Sequence, residues 1–201
     1  MRQTLTNILA ALTEYRFRWA SLQLSRLLSA QLLLRPDIFE ILRSLPKDLN
    51  ETYDRILKEV SVSHYGFAST ALRWLALTRQ PLLIEELIEA CSISFDDACK
   101  PSEERRLRPL DILRLLPNLL LIEPPVRLAK GQRYDRQTHY VMLSHFSVKE
   151  YLLGDKMLFS LQETFRIEPA ACHQFLASAC VGYLHWTNTK RTQTEYFPLR
   201  Q

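Results

Sequence analysis

Leu143-Ser144-His145-Phe146-Ser147-Val148-Lys149-Glu150-Tyr151-Leu152 is the stretch at which this chain changes its period. Before it, His139 to Leu143 alternates as a strand does. After it, apolar residues recur at helical spacing. The junction places His145 where a helix begins, with backbone N–H groups that have no partner inside the helix and can converge on an anion. No complete catalytic apparatus surrounds it in sequence, so the stretch reads as a binding or regulatory element rather than an active centre.

Working upstream, Leu119-Leu120-Leu121-Ile122 is an apolar run of strand length, and Val126-Arg127-Leu128 alternates. The polar segment 129–138 separates them from His139–Leu143, which predicts a β-hairpin or wing. Three helical patterns precede it: residues 64–78 with Phe67, Ala71, Trp74 and Leu75 inward; a short helix through Leu87, Ile88 and Cys91; and Leu110, Leu113 and Leu116 before Pro117. Residues 94–108 between them read as a polar loop. Three helices and then a hairpin is the order of a winged helix, over residues 64–145.

Residues 1–63 form a leading helical segment. Phe17, Ala20, Leu24, Leu27 and Leu28 share one face at spacings of three and four, with Trp19 and Leu22 widening the apolar arc. Pro36 suits the first turn of a second helix, carrying Ile38, Ile41, Leu42 and Leu45 and ended by Pro46. Asp48 is placed to cap a third, with Glu51 in a box-like position and Leu49, Tyr53, Ile56, Leu57 and Val60 buried. Trailing helices follow over 146–186, one predicted from about 146 to 161 and another from about 168 to 185. Residues 187–201 read as a polar tail. The fold class expected is therefore mainly α: a helical bundle plus a winged helix with a small β-hairpin, then further helices.

Composition narrows the function. Four glycines in 201 residues argue against a glycine-rich nucleotide loop, and no G-x-x-x-x-G-K-S/T run exists in the chain. A formal net charge of +4, from 26 basic against 22 acidic residues, is too balanced to imply nucleic acid by itself. The cluster Arg105, Arg106 and Arg108 can meet an anion, although a solvated basic loop explains it as well. Cys91, Cys99, Cys172 and Cys180 lack metal-site spacing and read as reduced, buried thiols, which suits a cytoplasmic protein. No apolar run reaches the length of a membrane span. Ser144 and Ser147 flank His145, but no G-x-S-x-G elbow accompanies them. No metal site is expected.

Several blocks together resemble a known family. Phe17-Arg18-Trp19-Ala20-Ser21-Leu22-Gln23-Leu24 and Leu45-Pro46-Lys47-Asp48-Leu49-Asn50-Glu51-Thr52-Tyr53-Asp54-Arg55-Ile56-Leu57 look like the region after the NTPase core in fungal NACHT proteins, many of which carry ankyrin repeats. Arg73-Trp74-Leu75-Ala76, Pro81-Leu82 and Glu85-Glu86-Leu87 resemble the start of that family's winged helix, a region also likened to one in GPI inositol-deacylase sequences. Leu143–Leu152 resembles its closing block and Phe165–Leu184 the helix after it. The likeness spans about residues 12–185.

The resemblance implies a STAND-type signalling NTPase, in which the winged helix folds over a nucleotide-binding core and holds it off. It offers His145 as the residue that senses the β-phosphate of a bound diphosphate. Two departures qualify it. The P-loop is absent, so the chain is expected to be non-catalytic and to hold no cofactor. ADP/ATP or GDP/GTP enters only where a NACHT core is supplied. Tyr15 and Arg16 stand where relatives have glycine and methionine. The partners implied are that core, in cis or in trans, and another copy of the chain. A winged-helix DNA-binding protein is the alternative reading, with Arg108 and Arg114 near the third helix and Lys130, Arg133 and Arg136 on the wing.

Overall fold

In the computed structural model, which describes residues 2–29, 43–94, 99–109, 111–123 and 139–196, the leading segment opens with one uninterrupted helix, α1 (Arg2–Ser29). The second helix expected over Pro36–Leu45 falls largely outside the described residues. Asp48 caps α2 (Leu49–Glu59) as expected: its side chain accepts the Glu51 N–H at 2.9 Å. The Glu51 carboxylate reaches back to the Lys47 N–H at 2.8 Å, one residue beyond the usual box. Leu49, Tyr53, Ile56, Leu57 and Val60 are all buried.

The apolar stripe of α1 points the other way from the expectation. Phe17, Leu24 and Leu28 are 71%, 58% and 78% exposed, while Leu22 and Gln23 are buried. Polar anchors set this rotation. The Trp19 indole N–H donates to the Pro46 carbonyl at 3.0 Å, and the buried Gln23 amide donates to Thr52 Oγ1 at 3.1 Å. Both bonds go to the turn before α2 or to α2 itself. An amide buried without its partner costs about 1–3 kcal/mol, so once Gln23 is inside, these bonds hold the helix in this rotation.

A 3-10 turn at Val62–His64 leads into α3 (Tyr65–Leu77), whose Ala68, Ala71, Leu72 and Ala76 are fully or nearly fully buried. Next come β1 (Leu82–Leu83), α4 (Ile84–Ser92), β2 (Ile93–Ser94) and β3 (Lys100–Pro101). β2 and β3 pair antiparallel, so the segment read as a polar loop contains a small sheet of its own, followed by a 3-10 turn at Glu103–Arg105. After α5 (Asp111–Leu115) come β4 (Leu120–Glu123) and β5 (Tyr140–Leu143). These two pair antiparallel as a hairpin, Leu120 opposite Leu143. β1 joins the other edge of β5, giving the strand order β1-β5-β4. Val126–Leu128 and the polar segment 129–138 expected to join the two strands lie outside the described residues.

Past β5 the predicted long helix is broken into α6 (Phe146–Leu153) and α7 (Phe159–Phe165). Gly154 ends α6, where a β-carbon would meet the Glu150 carbonyl oxygen at 3.0 Å. Asp54 then fixes the turn: its Oδ1 accepts the Tyr151 hydroxyl at 2.7 Å and the Leu158 N–H at 2.9 Å. The Ile167 N–H donates to the Leu152 carbonyl at 2.8 Å and closes the corner. α8 (Pro169–Tyr196) continues well past the predicted end near 185, so residues 187–196 are helix and not tail. The molecule is mainly α with a small antiparallel sheet. Its core runs from Tyr53 and Leu57 through Leu72, Leu87 and Val141 to Leu152 and Phe165.

Candidate functional site

His145 is the N-cap of α6. With φ of −163° it is extended backbone, and its ring turns inward over the first turn. Nδ1 accepts the Ser147 N–H at 3.2 Å. The helix start that the sequence offered to an anion thus has one of its orphan donors satisfied by the histidine itself.

That bond fixes the hydrogens around it. A nitrogen that accepts an N–H carries no proton, so the Ser147 hydroxyl, 2.6 Å from Nδ1, donates to it. The Tyr53 hydroxyl, 2.8 Å from Ser147 Oγ, donates in turn. With Nδ1 accepting, the ring N–H is on Nε2, which lies 3.4 Å from Glu14 Oε1. The result is a directed chain, Tyr53 to Ser147 to His145, with the Glu14 carboxylate beside its outer end. It runs from the interior of α2, through the start of α6, toward the exposed side of α1.

Serine, histidine and glutamate are hydrolase residue types, but here the serine is not presented to solvent. Ser147 is 2% exposed, and its hydroxyl is held between a tyrosine and the ring. A nucleophile needs an open path to a carbonyl, and none reaches this oxygen.

A second set of bonds lies beside the chain. Asn118 has φ of 62°, a left-handed turn that asparagine tolerates better than most residues. Its carbonyl accepts from Arg18 at 2.7 Å and from the Ser144 hydroxyl at 2.6 Å. The same Arg18 nitrogen also donates to Ser144 Oγ at 2.6 Å. Tyr15 donates to Glu150, and its ring meets Phe146 edge-on at 5.7 Å. Burial, with the Glu150 carboxylate beside it, pushes the Tyr15 phenol up to about 12. α1 is thus clasped to the start of α6 by Glu14, Tyr15 and Arg18. Sequence reading singled out His145, Ser144 and Ser147 but missed Glu14 and Asn118, which carry no motif. Tyr15 registered only as a departure from a family pattern, although it is one of the clasp residues.

The other candidates resolve separately. Arg106 pairs with Glu89 and, at 3.2 Å, with Glu103, and Arg108 pairs with Asp111 at 3.1 Å. Arg114 is an exposed residue of the five-residue α5 and lies 3.6 Å from Asp111, while Ile112 of that helix is buried. Lys130, Arg133 and Arg136 are outside the described residues. All four cysteines are free. Cys91 and Cys172 are buried as expected, Cys99 is half-buried, and Cys180 is exposed, contrary to its reading as a buried thiol. Among the described residues, no group of three or more His, Cys, Asp or Glu side chains is placed to hold a metal ion. No helix among them is long and apolar enough to cross a membrane.

No protein-family model matches the chain, and no solved structure does. Among curated proteins, it is 29% identical over 170 residues to azaphilone pigments biosynthesis cluster protein L of Monascus ruber, a match covering 85% of this chain. The chain spans about a third (34%) of the length of that relative.

Proposed function

We infer that this chain is a non-catalytic regulatory module of a NACHT-type STAND protein, in which residues 64–145 act as a winged helix packed against a nucleotide-binding core. The observation that carries the reading is the clasp. The Phe17-Arg18-Trp19 block resembles the region after the NTPase core in that family, and the Leu143–Leu152 block resembles the closing block of its winged helix. They lie more than a hundred residues apart in sequence, and Arg18 and Ser144 join them directly. The element order from α3 to β5 and the strand order β1-β5-β4 support the winged-helix part. The greater length of the pigment-cluster relative agrees with a module that works beside further domains.

In this reading His145 senses phosphate through Nε2, because Nδ1 is spent on the helix cap. Glu14 occupies the position that a phosphate oxygen would take. Diphosphate and Glu14 then compete for one N–H, and the exchange either closes or frees α1. DNA recognition has weaker support: α5 is a single short turn, and its exposed Arg114 faces a carboxylate on the same helix.

The test joins this chain to a NACHT core in cis and measures diphosphate release. His145→Ala should speed release about tenfold or more, as expected for loss of a charge-assisted hydrogen bond. Glu14→Gln should slow it by removing the competitor. Release rates unchanged in both variants would sink the sensor role.

A further inference from the structure

The basic loop at residues 105–108 turns out to wall a cavity. This cavity, of about 900 Å³, lies between α4, α8 and residues 103–109, and is built from elements other than those holding His145. Its size is that of a small-molecule site. Trp74, Ile88, Ile93, Leu107 and Tyr183 give it an apolar, partly aromatic wall. Glu85, Glu86, Glu89 and Glu103 line it together with Arg106 and Arg108.

The sign of the ligand follows from which charges are already spent. Arg106 is held by Glu89 and Glu103, and Arg108 is turned to Asp111, which is not among the lining residues. Glu89 and Glu103 are engaged by Arg106 and Glu86 accepts the Leu83 N–H, so four lining carboxylates still outnumber two guanidinium groups and Glu85 is the one whose oxygens are uncommitted among the described residues. An anion would have to detach an arginine and then sit beside the carboxylates left behind. A cation meets the excess negative charge directly, and the aromatic side chains of Trp74 and Tyr183 line the same space. Tyr183 donates to Glu89 Oε1 at 3.2 Å and its ring packs against Trp186 at 5.6 Å, which together fix it on the wall.

We propose that this cavity binds a small amphipathic organic cation, with an aromatic or branched apolar body against Ile88, Leu107 and Tyr183 and an ammonium group at Glu85, in the field of the other lining carboxylates. The chain then has a ligand input separate from the His145 junction, and the proposal stands whether or not the nucleotide reading does.

Naphthylmethylamine, naphthylmethanol and naphthoate share one ring system and differ in charge, so they serve as the probes. Calorimetric titration of the full chain should find the amine bound about tenfold more tightly than the alcohol, the combined effect of an exposed ion pair and a cation–π contact. The preference should shrink as salt is raised. Saturating amine should slow alkylation of the exposed, cavity-lining Cys180 by N-ethylmaleimide, mapped by mass spectrometry. Glu85→Gln combined with Glu103→Gln should weaken the amine about threefold or more and leave the alcohol unchanged, which also reports an intact cavity. Equal binding of amine and alcohol, tighter binding of naphthoate, no binding of any probe, or alkylation of Cys180 at its free rate would each overturn the proposal.

Discussion

The His145 ring does two jobs with two nitrogens, and this division governs what substitutions there should do. Nδ1 caps α6 and receives the Ser147 hydroxyl, while Nε2 faces Glu14. Asparagine keeps a capping oxygen and loses the reach to Glu14, so His145→Asn should cost less than His145→Ala, for which about 1 kcal/mol of stability is expected. Nitrogen-15 NMR of the neutral ring should find Nδ1 unprotonated; a proton there would contradict the directed chain. Tyr53→Phe and Ser147→Ala should be coupled, because each removes one link of the same buried pair. A double-mutant cycle by urea denaturation should return about 0.5–1.5 kcal/mol. Tyr15 adds a pH dependence. Its phenol titrates near 10 when unfolded and is pushed up to about 12 in the folded chain, so the folded state holds the proton more tightly. The resulting stability is fully present below about pH 10 and lost as pH rises to about 12, and Tyr15→Phe should flatten that part of the alkaline decline. His145 was legible because helix starts and strand ends have sequence signatures. Glu14 and Asn118 were not, because a histidine–carboxylate or carbonyl contact across a hundred residues leaves no local pattern.

At the scale of elements, two glycines separate close packing from open space. A β-carbon on Gly182 of α8 would stand 2.2 Å from the Cys99 sulfur and 2.5 Å from its β-carbon, whereas one on Gly66 of α3 meets nothing within 4 Å. Gly182→Ala should therefore force the β2–β3 sheet off α8 at a cost of about 1–3 kcal/mol. Cys99→Gly should restore much of it, since it removes the opposing side chain from a residue whose φ of 56° glycine adopts freely. Gly66→Ala should be neutral or stabilising by up to about 1 kcal/mol. Thermal denaturation of the three variants distinguishes a packing contact from a propensity effect. α2, with its cap and five buried positions, was legible in full, because its period, cap and burial agree. The break between α6 and α7 was not. Phe146 to Leu161 keeps a helical rhythm, and what interrupts it is Asp54 from a distant helix, accepting from Tyr151 and Leu158.

For the molecule as a whole, the rotation of α1 is the fact with the widest consequence. The sequence stripe Phe17, Leu24 and Leu28 was assigned to the interior, and it lies instead on the surface, while Trp19 and Gln23 hold the helix to the body through hydrogen bonds. The stripe is still an apolar face at helical spacing, and such a face is stable in water only at a cost that a partner removes. In the regulatory reading that partner is the nucleotide-binding core. When the core is missing, the same face should pair with a second copy of the chain. Sedimentation velocity over a rising concentration series should then show a monomer–dimer equilibrium. Leu24→Glu together with Leu28→Glu should shift it toward monomer by about tenfold or more in Kd, through lost apolar burial and charge repulsion at the seam. Both side chains point outward, so the circular dichroism spectrum and melting temperature of the double variant should match those of the unsubstituted chain. If the unsubstituted chain sediments as a monomer throughout, the face does not pair with itself. The same two substitutions should then be judged by whether they abolish association with an added NACHT core, the outcome that separates a docking face from a merely exposed one.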